Sequence, residues 1–398
     1  MDIPTLTKHV TELTEKPPQN LSPNDKFALL GAMEKLRDAL EEPFDKVARI
    51  MFTPYDAAAL RLGVDMEFFD SAAKKGGPVT TKELAEPKNA DPAFVRRIMR
   101  ILVNQGFFAE QEAGVYTPQP MAFAFAAPSP LKSAVIHLVI GPAAALQSFD
   151  YFEKNGYQNP NDAFDGPWQH AHNSKGQSCW DWLAKNPRDK EAFNVTMRAQ
   201  KMVRGEEWFD FFPVEEKLKL SDDEASSRIA LVDIGGGWGH DIKLFHETYP
   251  ALPGKLVLED HPSVTSTAES LPNAITVVGH DFLTPQPDAI KHAKAYFFRM
   301  VFHDWPDKQA KVILSNLKGV MAHDSLLLIN DHVLPETGVR HFETLVDMHM
   351  MAQLSALERT EKEWKDLLEG EGFEIRKIWA GDKAGIVNTR LIEASLKK

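Results

Sequence analysis

Apolar residues recur at two different spacings along this chain, and the change of spacing divides it. In the first half the period is helical. Residues 5–16 read as a short helix ended by Pro17-Pro18. A longer amphipathic segment runs from 23 through 45 towards Met51, with Phe27, Leu29, Leu30, Met33, Leu36 and Leu40 on its stripe. Such a stripe suits docking on a partner subunit. From 58 to 118 the pattern tightens into three helices and a hairpin. A helix begins at 57–62, Thr80-Thr81-Lys82-Glu83-Leu84 reads as a capped start, and Asp91-Pro92 opens a third helix over 93–105. Phe107 to Glu110 and Val115 to Pro118, around Ala113-Gly114, form the hairpin. This is the pattern of a winged-helix module, used either to bind DNA through its third helix or as a structural and dimerising unit.

From 131 to 212 the chain stays helical and becomes aromatic, with Phe149, Phe152, Trp168, Trp180, Trp182, Phe193, Trp208, Phe209, Phe211 and Phe212. Most of these are expected in packing, but the segment lies where a substrate cavity would form. The remainder alternates strand and helix. Strands are predicted at 228–234, 255–258, 275–278, 295–301, 325–329, 373–378 and 387–394. Continuous apolar strands separated by helices imply an α/β fold with a parallel Rossmann-like sheet covered on both faces. The last two strands are expected as an antiparallel hairpin at its edge. Three units follow: a helical winged-helix domain at 1–125, a helical substrate-pocket segment at 126–212, and the sheet domain at 213–398.

Composition narrows the function. The 398 residues, 43% hydrophobic and 26% charged, suit two globular domains. A formal net charge of -12 argues against nucleic acid and anionic membrane as partners, with Arg96, Arg97 and Arg100 the densest basic cluster. That favours the structural use of the winged helix. No run of about twenty apolar residues exists to span a membrane. The N-terminal residues lack the apolar core of a secretory signal, so a cytoplasmic location is expected. Cys179 is the only cysteine, which leaves no internal disulfide and no multi-cysteine zinc site. His170-Ala171-His172 lacks an evident third ligand, so no metal is expected.

The chemistry sits at strand ends. Leu231-Val232-Asp233-Ile234-Gly235-Gly236-Gly237-Trp238-Gly239-His240 is a buried strand entering a glycine-rich turn, the arrangement that lets backbone approach a ligand closely. The next strand ends in Glu259-Asp260-His261-Pro262, where either acid is placed to accept ribose hydroxyls. The third ends in Gly279-His280-Asp281-Phe282, with Asp281 for an adenine amino group and Phe282 for its ring. Together these specify an adenosine-bearing ligand. The fourth strand leads into Arg299-Met300-Val301-Phe302-His303-Asp304-Trp305-Pro306-Asp307. A histidine leaving an apolar strand at the carboxyl edge is a general-base candidate.

The run from 229 to 338 resembles the S-adenosylmethionine-dependent O-methyltransferases typified by caffeic acid O-methyltransferase. The resemblance extends over nearly the whole chain, including the Phe193-Asn194-Val195-Thr196-Met197 helix. The wording of Val277-Val278-Gly279-His280-Asp281-Phe282-Leu283-Thr284-Pro285 and of His303-Asp304-Trp305-Pro306-Asp307 is that of filamentous-fungal, secondary-metabolite members. It implies S-adenosyl-L-methionine as cofactor, a small-molecule substrate and a homodimer. By position it assigns the glycine loop to Gly235 and Gly237 with Asp233 before it, the ribose acid to Asp260, and the adenine contacts to Asp281 and Phe282. The basic residue four before the base falls on Arg299, and the base itself on His303. Two acids that orient the base fall on Asp331, where plant members carry Glu, and on Glu358.

The implied reaction is transfer of a methyl group to a hydroxyl of a polyketide or other aromatic metabolite. Some fungal relatives of the same fold, the leporin-type pericyclases, use the sulfonium as a fixed charge instead. That alternative enlists His137, in Ile136-His137-Leu138-Val139, with Arg299 across the pocket. Trp168, Trp182, Met197, Met202, Met348 and Met351 are the candidate lining, suggesting a flat or bulky apolar substrate.

Overall fold

The structure is a computed structural model that describes residues 2–16, 18, 20–199, 206–267, 271–382 and 389–398, the side chains of Pro23, Asn24 and Phe27 excepted. Met202 and the expected start of the last strand at 387 lie outside the described residues. Among the described residues ten strands form two sheets, with helices packed around them. A three-stranded sheet holds β1 (Val79–Thr80), β2 (Phe108–Glu112) and β3 (Val115–Pro118) in the order β1-β3-β2, all antiparallel. The two-residue strand β1 had no periodic signal and was not anticipated.

The long amphipathic segment breaks in two. Helix Pro23–Leu40 ends and helix Pro43–Asp65 begins because a proline pre-sets the first helical turn. The short helix Thr81–Ala85 starts in a capping box, Thr80 accepting from the Glu83 N–H while Glu83 reaches back to Thr80. Helix Pro92–Asn104 turns Val95, Ile98, Met99 and Leu102 inward, where they meet Phe68, Phe69, Phe108 and Tyr116 in one apolar cluster. The N-terminal helices do the opposite. Phe44, Val47, Met51, Phe52 and Tyr55 stand exposed.

The large sheet runs β6-β5-β4-β7-β8-β10-β9. Its strands are β4 (Ile229–Ile234), β5 (Lys255–Asp260), β6 (Ile275–Gly279), β7 (Ala295–Arg299), β8 (Leu326–Asp331), β9 (Phe373–Trp379) and β10 (Arg390–Leu396). The first five are parallel; β10 inserts antiparallel between β8 and β9, giving the expected edge hairpin. β4 lies at the reversal of strand order, the topological switch point where open α/β sheets bind ligands. Both faces are covered: Val232, Tyr296, Phe298, Ile313 and Trp364 pack on one, Trp208, Phe245, Leu258 and Phe297 on the other.

β7 is shorter than its apolar run suggested. Met300 takes a left-handed conformation, φ +52°, and its N–H turns to Asn330. A side-chain-bearing residue there is held by its surroundings rather than by preference. The strand therefore stops at Arg299, and a 3-10 turn, Phe302–Asp304, carries the histidine.

Candidate active site

The turn after β4 is built for close approach. Gly235 and Gly237 sit at φ +72° and +62°, where a side chain is strained, and a Cβ on Gly237 would point into open space. The Gly237 N–H donates to Asp260 Oδ2 at 2.8 Å, and Asp260 Oδ1 accepts from the His261 N–H at 2.7 Å. Each oxygen retains a lone pair for a ribose hydroxyl. Burial raises the Asp260 carboxyl, opposed by these N–H donors. Of the two acids at this strand end, Glu259 is the one turned inward: it is buried at 0% exposure, and burial pushes its pKa up to about 7.

Asp233 lies beneath the turn, with Oδ2 unpartnered among the described residues; burial pushes its carboxyl well above the usual range. Asp281 folds back to accept the Leu283 N–H at 3.0 Å. Phe282 stands beside Gly235 and edge-on to Trp305. Open space over Gly237, an unpartnered buried oxygen at Asp233 and the Asp260 acceptors fit a nucleoside seated on this edge.

Arg299 does not reach across a pocket towards His137. Its Nε donates to Asp241 Oδ2 at 2.6 Å, and both side chains are 8% exposed. Arg299 is the last residue of β7, still paired with Asn330 of β8. It ties β7 to the start of helix His240–Thr248, behind the glycine turn.

His303 is enclosed by carboxylates. Its Nδ1 meets Glu358 Oε1 at 2.7 Å and its Nε2 lies 3.4 Å from Asp304 Oδ1. Asp331 acts differently from expectation: its Oδ2 accepts the His303 backbone N–H at 3.3 Å, not the ring. An aspartate at the end of β8 is one methylene short and reaches the main chain of the turn. Burial disfavours the charged imidazole, but the attraction of Glu358, Asp304 and Asp331 outweighs it and raises the pKa to about 10. Desolvation pushes Asp304, half-buried beside them, up to about 7. Sequence reasoning gave Asp304 no role; its place directly after the histidine was the available signal.

His137 is buried on helix Pro130–Leu138, its Nδ1 without a partner among the described residues. Burial lowers its pKa to about 4, and His349 adds to this. Its ring is edge-on to Phe193 at 5.1 Å and lies 6.4 Å from His349. His349 was missed. It and Gln353, spaced i and i+4 on helix His341–Leu354, share one face, and Gln353 Nε2 donates to Cys179 Sγ at 3.4 Å. Gly141 admits the His349 ring, since a Cβ there would collide with it.

Two expected lining residues lie elsewhere. Trp168 is fully buried, stacked 3.7 Å from His172 and edge-on to Trp182, so it fills the core between helices. Met348 is 53% exposed, on the outer face of the helix whose inner face carries His349. Trp182, Met197 and Met351 are half-buried. His172 Nδ1 bonds the Trp168 carbonyl, and no group among the described residues is arranged to hold a metal ion.

These features define an α/β fold with a nucleoside-sized edge on its sheet and a histidine–carboxylate pair beside it. Residues 157–374 match the O-methyltransferase domain and residues 48–128 the O-methyltransferase dimerisation domain, and the chain belongs to this family. Its cofactor is S-adenosyl-L-methionine. Demethylsterigmatocystin 6-O-methyltransferase of Aspergillus parasiticus is 32% identical, covering 88% of each chain. Among solved structures, LepI in complex with S-adenosylmethionine superposes with a TM-score of 0.85 at 28% identity, covering 100% of both chains. A structure described as a pericyclic reaction enzyme matches with a TM-score of 0.83, also at 28% identity and 100% coverage. Among the described residues no helix is long and apolar enough to cross a membrane.

Proposed function

We propose that this enzyme methylates a phenolic hydroxyl of a polyketide or other aromatic secondary metabolite, with His303 as the base. The observation that carries this is the His303 Nδ1–Glu358 contact at 2.7 Å, beside the cofactor edge. Glu358 holds the proton on Nδ1 and so turns Nε2 to the reacting hydroxyl. S-adenosylmethionine, when bound, supplies an electrophilic methyl group. In its neutral form His303 would take the hydroxyl proton at Nε2; the oxygen pair would form the O–C bond as the methyl–sulfur bond breaks with its electron pair left on sulfur, and the proton would leave to solvent after turnover. A base with a pKa of about 10 matches a phenol, whose own value is about 10, better than an aliphatic alcohol. The ion-paired imidazolium then stabilises the phenolate until the methyl group is in line.

His137, Phe193 and Trp180 form a contiguous run of rings, at 5.1 and 5.3 Å, that suits a flat apolar substrate. Met197 and Trp182 flank it as further contacts. Asp233, Gly235, Gly237, Asp260, Asp281 and Phe282 hold the cofactor. The active species is a homodimer in which a second copy covers Phe44, Met51, Phe52 and Tyr55.

A pericyclic reading is favoured by one observation: the unpartnered, neutral His137 is suited to hydrogen-bond a carbonyl. The two readings separate chemically. Incubation with S-adenosylmethionine and a panel of phenolic polyketides should release S-adenosylhomocysteine in equal amount to methylated product. Substrate conversion with S-adenosylmethionine left intact would overturn methyl transfer and support the second reading.

A further inference from the structure

Arg359 touches neither the glycine turn nor the imidazole, yet its side chain is only 1% exposed. Burying a guanidinium is costly unless its N–H groups are spent on partners. Here NH1 donates to the Phe302 carbonyl at 3.0 Å and NH2 to the Trp305 carbonyl at 2.9 Å. Those two carbonyls bracket His303 and Asp304. Nε and NH2 also donate to Asp307 Oδ1, at 3.0 and 2.7 Å, and Trp364 lies under the guanidinium at 5.2 Å.

The backbone of the same residue is fixed as well. The Arg359 carbonyl accepts the Leu334 N–H at 2.9 Å, and the neighbouring Glu358 N–H donates to Asp347 at 2.9 Å. One residue therefore joins the strand-like segment that carries Glu358 to the turn that carries His303. These partners are 55 positions apart in the chain and meet at 2.7 Å. The planar fork of arginine spans two carbonyls as a lysine ammonium cannot.

We propose that Arg359 is the positioning residue of the base: it clamps the 302–305 turn against the Glu358 segment and so sets the His303–Glu358 hydrogen bond. Its catalytic consequence rests on His303 being the base, but the clamp can be tested without any substrate. The experiment is an NMR titration of the full-length protein with labelled histidine, the His303 signal being assigned with His303→Gln.

Wild-type His303 should remain charged up to about pH 10. In Arg359→Met the clamp is gone, Glu358 and the ring drift apart, and the midpoint should fall by at least about one unit, a tenfold change in the protonation constant. Through-space electrostatics predicts the opposite, since removing a cation near the imidazole raises its midpoint. Arg359→Lys keeps the charge and can reach only one carbonyl, so it should fall part of the way. Asp307→Asn, at a carboxylate 53% exposed, should leave the titration unchanged. S-adenosylhomocysteine affinity by calorimetry should stay within about twofold of wild type in all of them. An unchanged or raised midpoint in Arg359→Met overturns the proposal, as does a fall accompanied by loss of nucleoside binding. If Arg359→Met does not fold, an unmoved Arg359→Lys overturns it equally.

Discussion

His303 and His137 are both buried, and burial alone drives an imidazole towards its neutral form. At His137 that tendency prevails. Its neighbours are Phe193 and another histidine, and the pKa falls to about 4. At His303 three carboxylates reverse the sign and the pKa rises to about 10. One end of the site thus holds a strong base or its cation, the other a neutral donor–acceptor. The difference comes from partners, not depth.

The largest test of this contrast removes the base. His303→Ala should lower methyl transfer by about 10²- to 10⁴-fold, the usual worth of a general base, with S-adenosylhomocysteine binding retained by calorimetry. A loss under tenfold would mean that His303 only organises the turn.

Next in size is a stability effect of opposite sign at the two histidines. His137 has a folded pKa below its unfolded value of about 6.5, so the unfolded chain binds more protons between pH 6.5 and 4. Stability is lost as pH falls through that window, by about 3 kcal/mol at most for this side chain. His303 is raised, so its contribution is complete below pH 6.5 and is lost as pH rises through about 10. His137→Phe should flatten the acid side of a plot of Tm against pH, with His349, also lowered to about 4, leaving a residual slope. The alkaline side should be untouched. An acid limb as steep as wild type would sink the assignment of a neutral, buried His137.

A smaller effect is expected at the carboxylate. Glu358→Gln removes the principal attraction and the charged hydrogen bond on Nδ1, so the His303 pKa falls. The rate should then rise at lower pH than in wild type and reach a maximum lowered by about 10- to 100-fold, as for loss of a charged hydrogen bond of about 1.5–3 kcal/mol. A pH–rate profile that keeps its position while losing height would show that Glu358 is not what charges the ring.

The cofactor edge was legible because its residues are local. Gly235 and Gly237, Asp260, and Asp281 with Phe282 each end a strand, and the strand pattern brings the ends together. The substrate end was not, because it is assembled from helices whose inner and outer faces the sequence does not distinguish. Helix His341–Leu354 scatters apolar and polar residues around its whole circumference, so the sequence marks no inner face for Met348 or His349, yet the first is exposed and the second lies beside His137. Trp168 was a candidate as an aromatic of the helical segment, and a large aromatic ring is also what fills a core. Arg299 was misplaced because its strand stops there, before Met300, whose left-handed backbone follows no signal visible in an apolar run.

The smallest expected effect concerns Asp331, assigned by resemblance to the imidazole but bonded to the His303 backbone N–H at 3.3 Å. Asp331→Asn keeps an oxygen that can accept that N–H, so the turn should hold its shape. What is lost is one distant negative charge, the weakest of the carboxylate influences on His303. The rate should drop by only about two- to fivefold, with a slight acid shift of the pH–rate profile, less than the ~1 kcal/mol usual for a whole hydrogen bond. Asp331→Ala, which leaves the buried N–H without an acceptor, should cost more than Asp331→Asn in both Tm and rate. If Asp331→Asn instead matches Glu358→Gln in depth and shift, the two acids act on the ring alike, and the division of labour between turn and imidazole drawn from this geometry is wrong.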